Sequence, residues 1–183
     1  MSFIRGDVAR NPNPEFERLA LPLLGPLYSF ARWLSGNSDE AKDLVQETFA
    51  KALKGFGGFT PGTNFRAWIF RILHNTFLTS RSGQERLQQT GPDDDNPIEE
   101  VASSHDSPEL ALIRRADRDL VQAAIQSLPV AFQEVILLGD IEEMRYREVA
   151  EALNIPIGTV MSRLARARQQ VRRHILEALR KRS

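Results

Sequence analysis

The amino-acid sequence predicts an all-α protein in which two small helical bundle domains are joined by a flexible acidic linker. Apolar residues recur at three- and four-residue spacing in both halves of the chain, whereas no alternating run of useful strand length occurs. Between the halves, residues 91–110 carry seven acids, three prolines and no lysine or arginine. That composition is typical of a linker rather than of a packed element.

These features divide the chain into four segments. Residues 1–14 form an N-terminal tail, 15–81 the first bundle, 82–111 the linker and 112–183 the second bundle. Each bundle has roughly 60–90 residues from which to build a core. With 42% hydrophobic and 26% charged residues, the chain has the composition of an ordinary globular protein.

Three helical segments are predicted in the first bundle. The first, EFERLALPLLGPLYSFARWLSG, is interrupted by Pro22, Gly25 and Pro26, which indicates two short helices or one kinked helix. The second, SDEAKDLVQETFAKALKGF, has Ser38 as its predicted N-cap, with acids in the first turn. Its apolar stripe consists of Ala41, Leu44, Val45, Phe49, Ala52, Leu53 and Phe56.

A glycine-rich loop, GFGGFTPGTN, separates that segment from the third, FRAWIFRILHNTFLTSR. The third segment is apolar on nearly all sides, so it should be a buried helix. Its aromatic residues Trp68, Phe70 and Phe77 are predicted to lie in the core, because aromatic side chains at helical spacing usually do.

The second bundle begins with LALIRRADRDLVQAAIQSL and PVAFQEVILLGDI and ends in a helix, a tight turn and a helix. YREVAEAL stops at Asn154, a residue that tolerates a left-handed turn, and Pro156 suits the first position of a following helix. On that last helix five apolar residues fall within about 80° of one another at 100° per residue. The inward face therefore consists of Val160, Leu164, Ala167, Val171 and Ile175.

The opposite arc of the last helix has no acid. It consists of Thr159, Ser162, Arg163, Arg166, Gln169, Gln170 and Arg173. Solvated helix faces usually mix charges of both signs, so this arc and the tight turn before it favour a DNA-binding helix-turn-helix. The alternative interpretation is a merely solvated face.

Charge, cysteine content and motifs limit the functional classes. The net charge is zero, yet residues 156–183 carry eight basic residues and a single acid, Glu177. With no cysteine, no phosphate-binding loop and the three histidines far apart, we expect no enzyme activity, no metal and no cofactor. No apolar run has signal-peptide or membrane-span length, so we expect a cytoplasmic protein without membrane insertion.

Three motifs resemble, in order, the small bacterial sigma factors of the extracytoplasmic-function group. IPIGTVMSRLARAR resembles the recognition helix of their promoter-binding region four. DEAKDLVQETFAKAL resembles region 2.2, and FRAWIFRILHNTF resembles regions 2.3 and 2.4. The resemblance covers about residues 15–175 and implies a factor that joins core RNA polymerase, directs it to a promoter and helps to open the DNA.

The resemblance also implies roles for individual residues. The expected minus-35 contacts are Thr159, Met161, Ser162, Arg163, Arg166 and Arg168. The expected minus-ten contacts are Phe65, Arg66, Arg71 and Asn75. Asp43, Gln46 and Glu47 are expected to dock on the clamp helices of the polymerase β′ subunit. Thr79 and Gln133 depart from the aspartate and arginine that many relatives carry there.

One further partner, the role of the linker and one competing function remain. The resemblance implies an anti-sigma factor as an inhibitory partner, and it lets the acidic linker either thread through the polymerase or serve as a solvated tether. The competing function is a stand-alone helix-turn-helix transcriptional regulator, which would bind a duplex operator without polymerase.

Overall fold

The structure is a computed structural model that describes the backbone of residues 13–84 and 108–182 and the side chains of residues 13–81 and 117–181. Within these ranges every regular element is helical. The predicted N-terminal tail up to residue 12 and the central part of the predicted linker, 85–107, lie outside the described residues.

Eight α-helices are described, four on each side of that central part. The first four are α1 (Pro14–Ala20), α2 (Leu24–Ser35), α3 (Ser38–Gly55) and α4 (Phe65–Gln84), with 3-10 turns at Leu21–Leu23 and Phe56–Gly58. The others are α5 (Pro108–Gln126), α6 (Val130–Ile136), α7 (Tyr146–Leu153) and α8 (Ile157–Arg182), with a π-helical turn at Leu137–Ile141. Both α4 and α5 extend a few residues into the predicted linker.

The prolines of the first segment produce two helices rather than one kinked helix. Pro22 lies in the 3-10 turn between α1 and α2. Pro26 falls in the first turn of α2, where a missing backbone N–H costs little because no intrahelical acceptor is available there. Gly36 ends α2 with a left-handed φ of 71°, which glycine adopts without strain.

The N-cap of α3 is Asn37, not the predicted Ser38. The Asn37 side chain accepts hydrogen bonds from the backbone nitrogens of Asp39, at 2.8 Å, and Glu40, at 3.0 Å. Ser38 is the first helical residue, and its hydroxyl lies 3.2 Å from the Tyr28 hydroxyl. Two adjacent polar residues both suit an N-cap, so composition alone does not distinguish them.

Replacing Asn37 by alanine should lower the free energy of unfolding by about 1 kcal/mol, because two backbone donors lose their acceptor. Ser38→Ala should cost less, since it removes only a contact with Tyr28. Urea denaturation followed by circular dichroism measures both. A larger loss from Ser38→Ala than from Asn37→Ala would contradict the cap geometry.

The buried face of α3 largely follows the predicted stripe. Leu44, Val45 and Ala52 are buried, whereas Leu53 is 38% exposed. Thr48 is fully buried in the same face, where its hydroxyl donates a 2.6 Å hydrogen bond to the Leu44 carbonyl oxygen. A hydroxyl satisfied by its own helix is compatible with an apolar interior, and this explains its place in the core.

The helix-turn-helix forms as the sequence predicts, except that Pro156 is the N-cap of α8 and not its first helical residue. Asn154 adopts a left-handed conformation, with φ 52° and ψ 47°, at the end of α7. Pro156 immediately precedes α8, and its carbonyl accepts from the backbone nitrogens of Thr159 and Val160. The inward face of α8 is confirmed: Val160, Leu164 and Ala167 are buried, and Val171 and Ile175 are half-buried.

The two helical modules share one hydrophobic core cluster instead of two separate cores. Across the boundary α4 packs along α7, and α2 meets α6. Phe70 and Leu73 of α4 and Val149 of α7 are all fully buried. The packing of α4 on α7 therefore decides which surfaces of the first module stay accessible.

Candidate nucleic-acid interface

The exposed side of α8 carries most of the residues predicted to meet the minus-35 element. Ser162 and Arg166 are exposed, Met161 is 53% exposed, and Thr159 and Arg163 are half-exposed. The Ser162 hydroxyl donates to the Thr159 carbonyl oxygen at 3.1 Å, which leaves the oxygen lone pairs available. This face combines cations with small polar groups, the side chains that approach a major groove closely.

Arg168 differs from the other predicted minus-35 residues. Its Nε and Nη2 donate to the two carboxylate oxygens of Asp140, at 2.9 and 2.6 Å. Hydrogen bonds with Asp140 and Tyr146 raise the pKa of Arg168 above its usual value. At 100° per residue Arg168 lies about 160° around the helix from Arg166. The bidentate pair ties α8 to the π-helical turn, so Arg168 would reach DNA only after releasing Asp140.

Phe65 lies inside an aromatic cluster at the start of α4. Its ring is only 7% exposed and makes edge contacts with Phe16, Phe56 and Phe59, at centroid distances of 6.1, 6.0 and 5.3 Å. Trp68 tilts against it at 5.4 Å. In this conformation the Phe65 ring supports the loop from the inside, and it would meet a base only by leaving the cluster.

The loop before α4 is exposed from Thr60 to Thr63. Gly62 has a φ of 85°, a conformation that side chains with a Cβ rarely adopt, and open space surrounds it. The Thr63 hydroxyl donates to the Thr60 carbonyl oxygen at 2.7 Å, which closes the turn. Because Gly62 has no side chain, a ligand can approach the backbone closely at this point of the loop.

Arg66 of α4 is directed at the second module. Its Nη2 donates to both the backbone oxygen and the carboxylate of Glu142, at 2.7 and 2.9 Å, and its guanidinium lies 5.8 Å from the centre of the Phe70 ring. Burial raises the pKa of Glu142, although the neighbouring guanidinium opposes that shift. The Arg66 Nε is buried and has no hydrogen-bond partner among the described residues.

A second hydrogen bond crosses the same boundary. Asn64 Nδ2 donates to Glu148 Oε1 at 2.6 Å, while Asn64 Oδ1 accepts from the Ala67 backbone nitrogen at 3.0 Å. The other Glu148 oxygen accepts from the Arg145 backbone nitrogen at 2.6 Å, within the first turn of α7. Sequence reasoning missed Asn64, Glu142 and Glu148, since 84 and 76 residues separate the partners and no local pattern marks them.

The remaining predicted minus-ten residues, Arg71 and Asn75, are exposed further along α4. Arg71 lines an open cleft of about 460 Å³ between α4 and the turn of the helix-turn-helix. Glu151, Asn154 and Pro156 lie on the opposite wall of the cleft. Arg66 and Arg71 therefore both face the second module, whereas α3 turns its polar face away.

The outer face of α3 is a separate polar surface. Asp43, Gln46 and Glu47 are all exposed there. The Glu47 carboxylate lies 2.7 Å from the Lys51 ammonium one turn later, in a solvated pair. A surface pair of this kind holds its geometry weakly, so the Glu47 carboxylate stays accessible.

Histidine and acidic side chains do not assemble a metal site in the described parts of the chain. No group of three potential metal ligands occurs there. His74 Nε2 lies 3.0 Å from Glu134 Oε1, with both side chains less than 10% exposed, in a contact between α4 and α6. No helix in the described ranges has the length and apolar character needed to cross a bilayer.

Comparison with known proteins identifies both modules. Residues 19–87 match the family model of sigma-70 region 2, and residues 118–181 match that of sigma-70 region 4. The chain is 37% identical over 168 residues to the sigma factor SigE of Mycolicibacterium smegmatis, covering 88% of this chain. It spans only 62% of that relative's length.

Two further relatives are covered over more of their own length. The sigma factor EcfG of Rhodopseudomonas palustris is 34% identical, with 79% of this chain and 76% of EcfG covered. The solved sigma factor RpoE of Bartonella quintana, in complex with the anti-sigma factor NepR, superposes with a TM-score of 0.70 at 28% identity. That match covers 89% of this chain and 98% of RpoE.

A stand-alone helix-turn-helix regulator is not favoured by these matches. Such a protein needs only the second module, whereas the first module of this chain is itself a sigma-70 region 2. Regions 2 and 4 occur in the same order as the predicted motifs. The chain belongs to the extracytoplasmic-function group of the sigma-70 family of RNA polymerase sigma factors.

Proposed function

We propose that this chain binds core RNA polymerase, directs it to promoters through the minus-ten and minus-35 elements, and helps to separate the strands. The observation that supports this most directly is the exposed, acid-free arc of α8, next to a first module with its own cations and amides on α4. The role consists of binding and positioning, without a catalytic step, and it is carried out in the cytoplasm, where polymerase meets promoter DNA.

We assign one binding role to each of three surfaces, which lie on α8, on α4 and on the outer face of α3. The exposed arc of α8 binds the minus-35 duplex, because arginine recognises guanine edges and phosphates through two parallel hydrogen bonds. The residues of this contact are Arg163, Arg166, Thr159, Met161 and Ser162. Arg66, Arg71 and Asn75 hold the separated minus-ten strand, for which cations along a groove are suited. The carboxylates on the outer face of α3 dock on the polymerase clamp.

An anti-sigma factor is the proposed inhibitory partner. The relative RpoE was solved in complex with the anti-sigma factor NepR, and its fold covers most of this chain. An inhibitor that contacts both modules would exclude polymerase from the outer face of α3. Co-purification from the native organism, followed by loss of transcription on adding the partner back, tests this proposal.

Transcription in vitro with purified core polymerase tests the proposed function. A library of upstream regions is transcribed with and without the chain, and the starts are mapped. Promoter-specific starts only in its presence support the proposal. Tight binding of a duplex operator without polymerase, and no specific starts with it, would contradict the proposal and support an independent regulator instead.

A further inference from the structure

We infer that Met161 is a specificity-determining residue, which contacts the C5-methyl group of a thymine in the minus-35 duplex and so sets the base preference there. The observation behind the inference is a strip of exposed, uncharged side chains on the N-terminal part of α8, which we name the apolar strip. It consists of Ile157, Met161 and Ala165. The inference rests on the proposed function and deepens it, because it names the chemical group that this helix selects on the promoter.

The apolar strip is unusual in its exposure. Met161 and Ile157 leave 53% and 43% of their surfaces open to solvent, although both are large apolar residues. They stand one turn apart, about 6 Å along the helix axis at 1.5 Å per residue. Single exposed apolar residues need no explanation, but these two lie on the second helix of a helix-turn-helix, where the first turns contact base edges.

Met161 lies beside the arginines of α8 on its accessible side. At 100° per residue, Arg163 and Met161 are displaced about 100° to either side of Ser162. A helix of about 10–12 Å diameter fills a major groove about 12 Å wide, so both flanks of the inserted edge meet the bases or the groove walls. With Ser162 directed at the floor of the groove, Arg163 faces one side of it and Met161 faces the other.

The neighbours of Met161 leave its side chain free to extend. Gly158, three residues earlier, has no side chain, and Ala165, four residues later, has only a methyl group. No atom beyond the immediate helix neighbours lies within 4 Å of the position that a Cβ at residue 158 would take. Internal packing therefore does not require glycine there, whereas its missing side chain lets the helix backbone approach a base pair closely.

The chemistry of a methionine side chain suits a methyl group better than a polar base edge. The thioether has no N–H or O–H donor, so it cannot bind the N7 and O6 acceptors of guanine. Thymine presents the only methyl group that the four bases carry in the major groove. Contact between the two removes apolar surface from water, and the rotatable bonds of methionine let it adapt to the position of the methyl group.

A protein partner fits the apolar strip less well than DNA does. From Ile157 to Ala165 the strip extends about 12 Å along the axis, at 1.5 Å per residue. A specific protein interface needs roughly 800 Å² from each partner, which three side chains do not supply. Arg163 and Arg166 add positive charge beside the strip, and a DNA duplex complements that charge.

Removal of thymine methyl groups tests the inference. Duplexes are selected from a pool of random sequence by the full chain, both alone at low salt and together with core polymerase. Each selected duplex is then made with thymine or with deoxyuridine, which pairs identically but lacks the C5-methyl group. By fluorescence anisotropy the parent chain should bind the deoxyuridine form about fourfold more weakly, the effect of one buried group of CH₂ size.

Three variants assign the methyl preference to one side chain. Met161→Ala should bind the two forms of DNA with less than a twofold difference, and the exposed position should tolerate the change, which circular dichroism checks. Met161→Leu keeps an apolar side chain and should retain most of the preference. Leu176→Ala is the matched control, because it truncates another exposed apolar residue of α8 and should retain the preference in full.

A repeated selection with Met161→Lys gives an independent readout. A lysine ammonium donates to the N7 and O6 acceptors of guanine, so the selected site should change from thymine to guanine at one position. A residue with a purely structural role would weaken binding to all sequences alike and would leave the selected site unchanged.

The outcomes separate this inference from the proposed function. Loss of the methyl preference in Met161→Ala, with the preference retained in Leu176→Ala, supports the inference. Equal binding of both DNA forms by the parent chain, or an unchanged preference in Met161→Ala, overturns it even where promoter-specific transcription succeeds. If that variant instead loses affinity for core polymerase, the apolar strip is a protein contact.

Two further outcomes concern the proposed function. Methyl-selective duplex binding without promoter-specific starts defeats the proposed function alone. Failure to select any duplex sequence, with or without core polymerase, overturns both.

Discussion

Arg166→Ala is expected to lower promoter-dependent initiation about 10- to 100-fold while leaving affinity for core polymerase unchanged. Arg166 is exposed on the acid-free arc of α8, away from the core. Losing an arginine that contacts a base edge or phosphate costs about 1–3 kcal/mol. Abortive initiation on a selected promoter measures the first quantity, and competition with a labelled sigma factor for core polymerase measures the second.

Two further variants test whether the effect is specific to position 166 and whether it depends on the shape of the arginine side chain. Arg180→Ala removes the same charge from the same helix, about 21 Å along its axis at 1.5 Å per residue, and should change initiation less than twofold. Arg166→Lys keeps the charge but loses the planar fork, so it preserves a phosphate contact and abolishes a bidentate base contact. Equal losses of initiation and of core binding in Arg166→Ala would contradict the proposed division between surfaces.

Glu47→Lys should produce the opposite pattern, with affinity for core polymerase reduced about tenfold or more. Glu47 is exposed on the outer face of α3, and reversing its charge places like charges together at the proposed docking surface. Fold stability should change little, because Glu47 forms a solvated pair with Lys51 one turn away, and Lys51 can keep its hydrogen bond to the Thr76 hydroxyl. Fluorescence titration of labelled chain with core polymerase measures the affinity.

The control for this variant is Lys51→Ala. It breaks the same ion pair, and also a 3.2 Å hydrogen bond from Lys51 to the Thr76 hydroxyl, but keeps the Glu47 carboxylate. Binding to core polymerase should therefore stay near that of the parent chain. A similar loss of affinity in both variants would trace the effect to the local helix rather than to the docking carboxylate. Undiminished competition by Glu47→Lys would remove α3 from the interface.

Much of the fold follows from local patterns. The turn at Asn154 and the buried face of α8 are predicted correctly, because a left-handed residue, a proline and helical spacing act within a few residues of one another. The N-cap of α3 is missed by one residue, since Asn37 and Ser38 are chemically similar candidates. Local chemistry therefore predicts that a helix forms better than it predicts the residue at which the helix begins.

The roles of individual residues at the candidate surfaces are harder to predict from local sequence than the helices are. Arg166 and Arg168 are two residues apart in a motif that assigns both to DNA, yet only Arg168 is tied to Asp140. Phe65 is a candidate base contact by resemblance, but its ring completes an aromatic cluster. Asp140 lies 28 residues from Arg168, and Phe16 of α1 joins the cluster around Phe65 from another helix, so both contacts depend on how separate elements pack.

The sequence alone determined the helices, the turn between α7 and α8, and the family, because these depend on periodicity and on motifs read within a short stretch of chain. Only the tertiary structure decided that α4 packs along α7 and that Arg66 and Asn64 meet Glu142 and Glu148. The physical reason is separation along the chain. Pairs that lie 76 and 84 residues apart are selected by shape and charge once the modules meet, and no local preference encodes them.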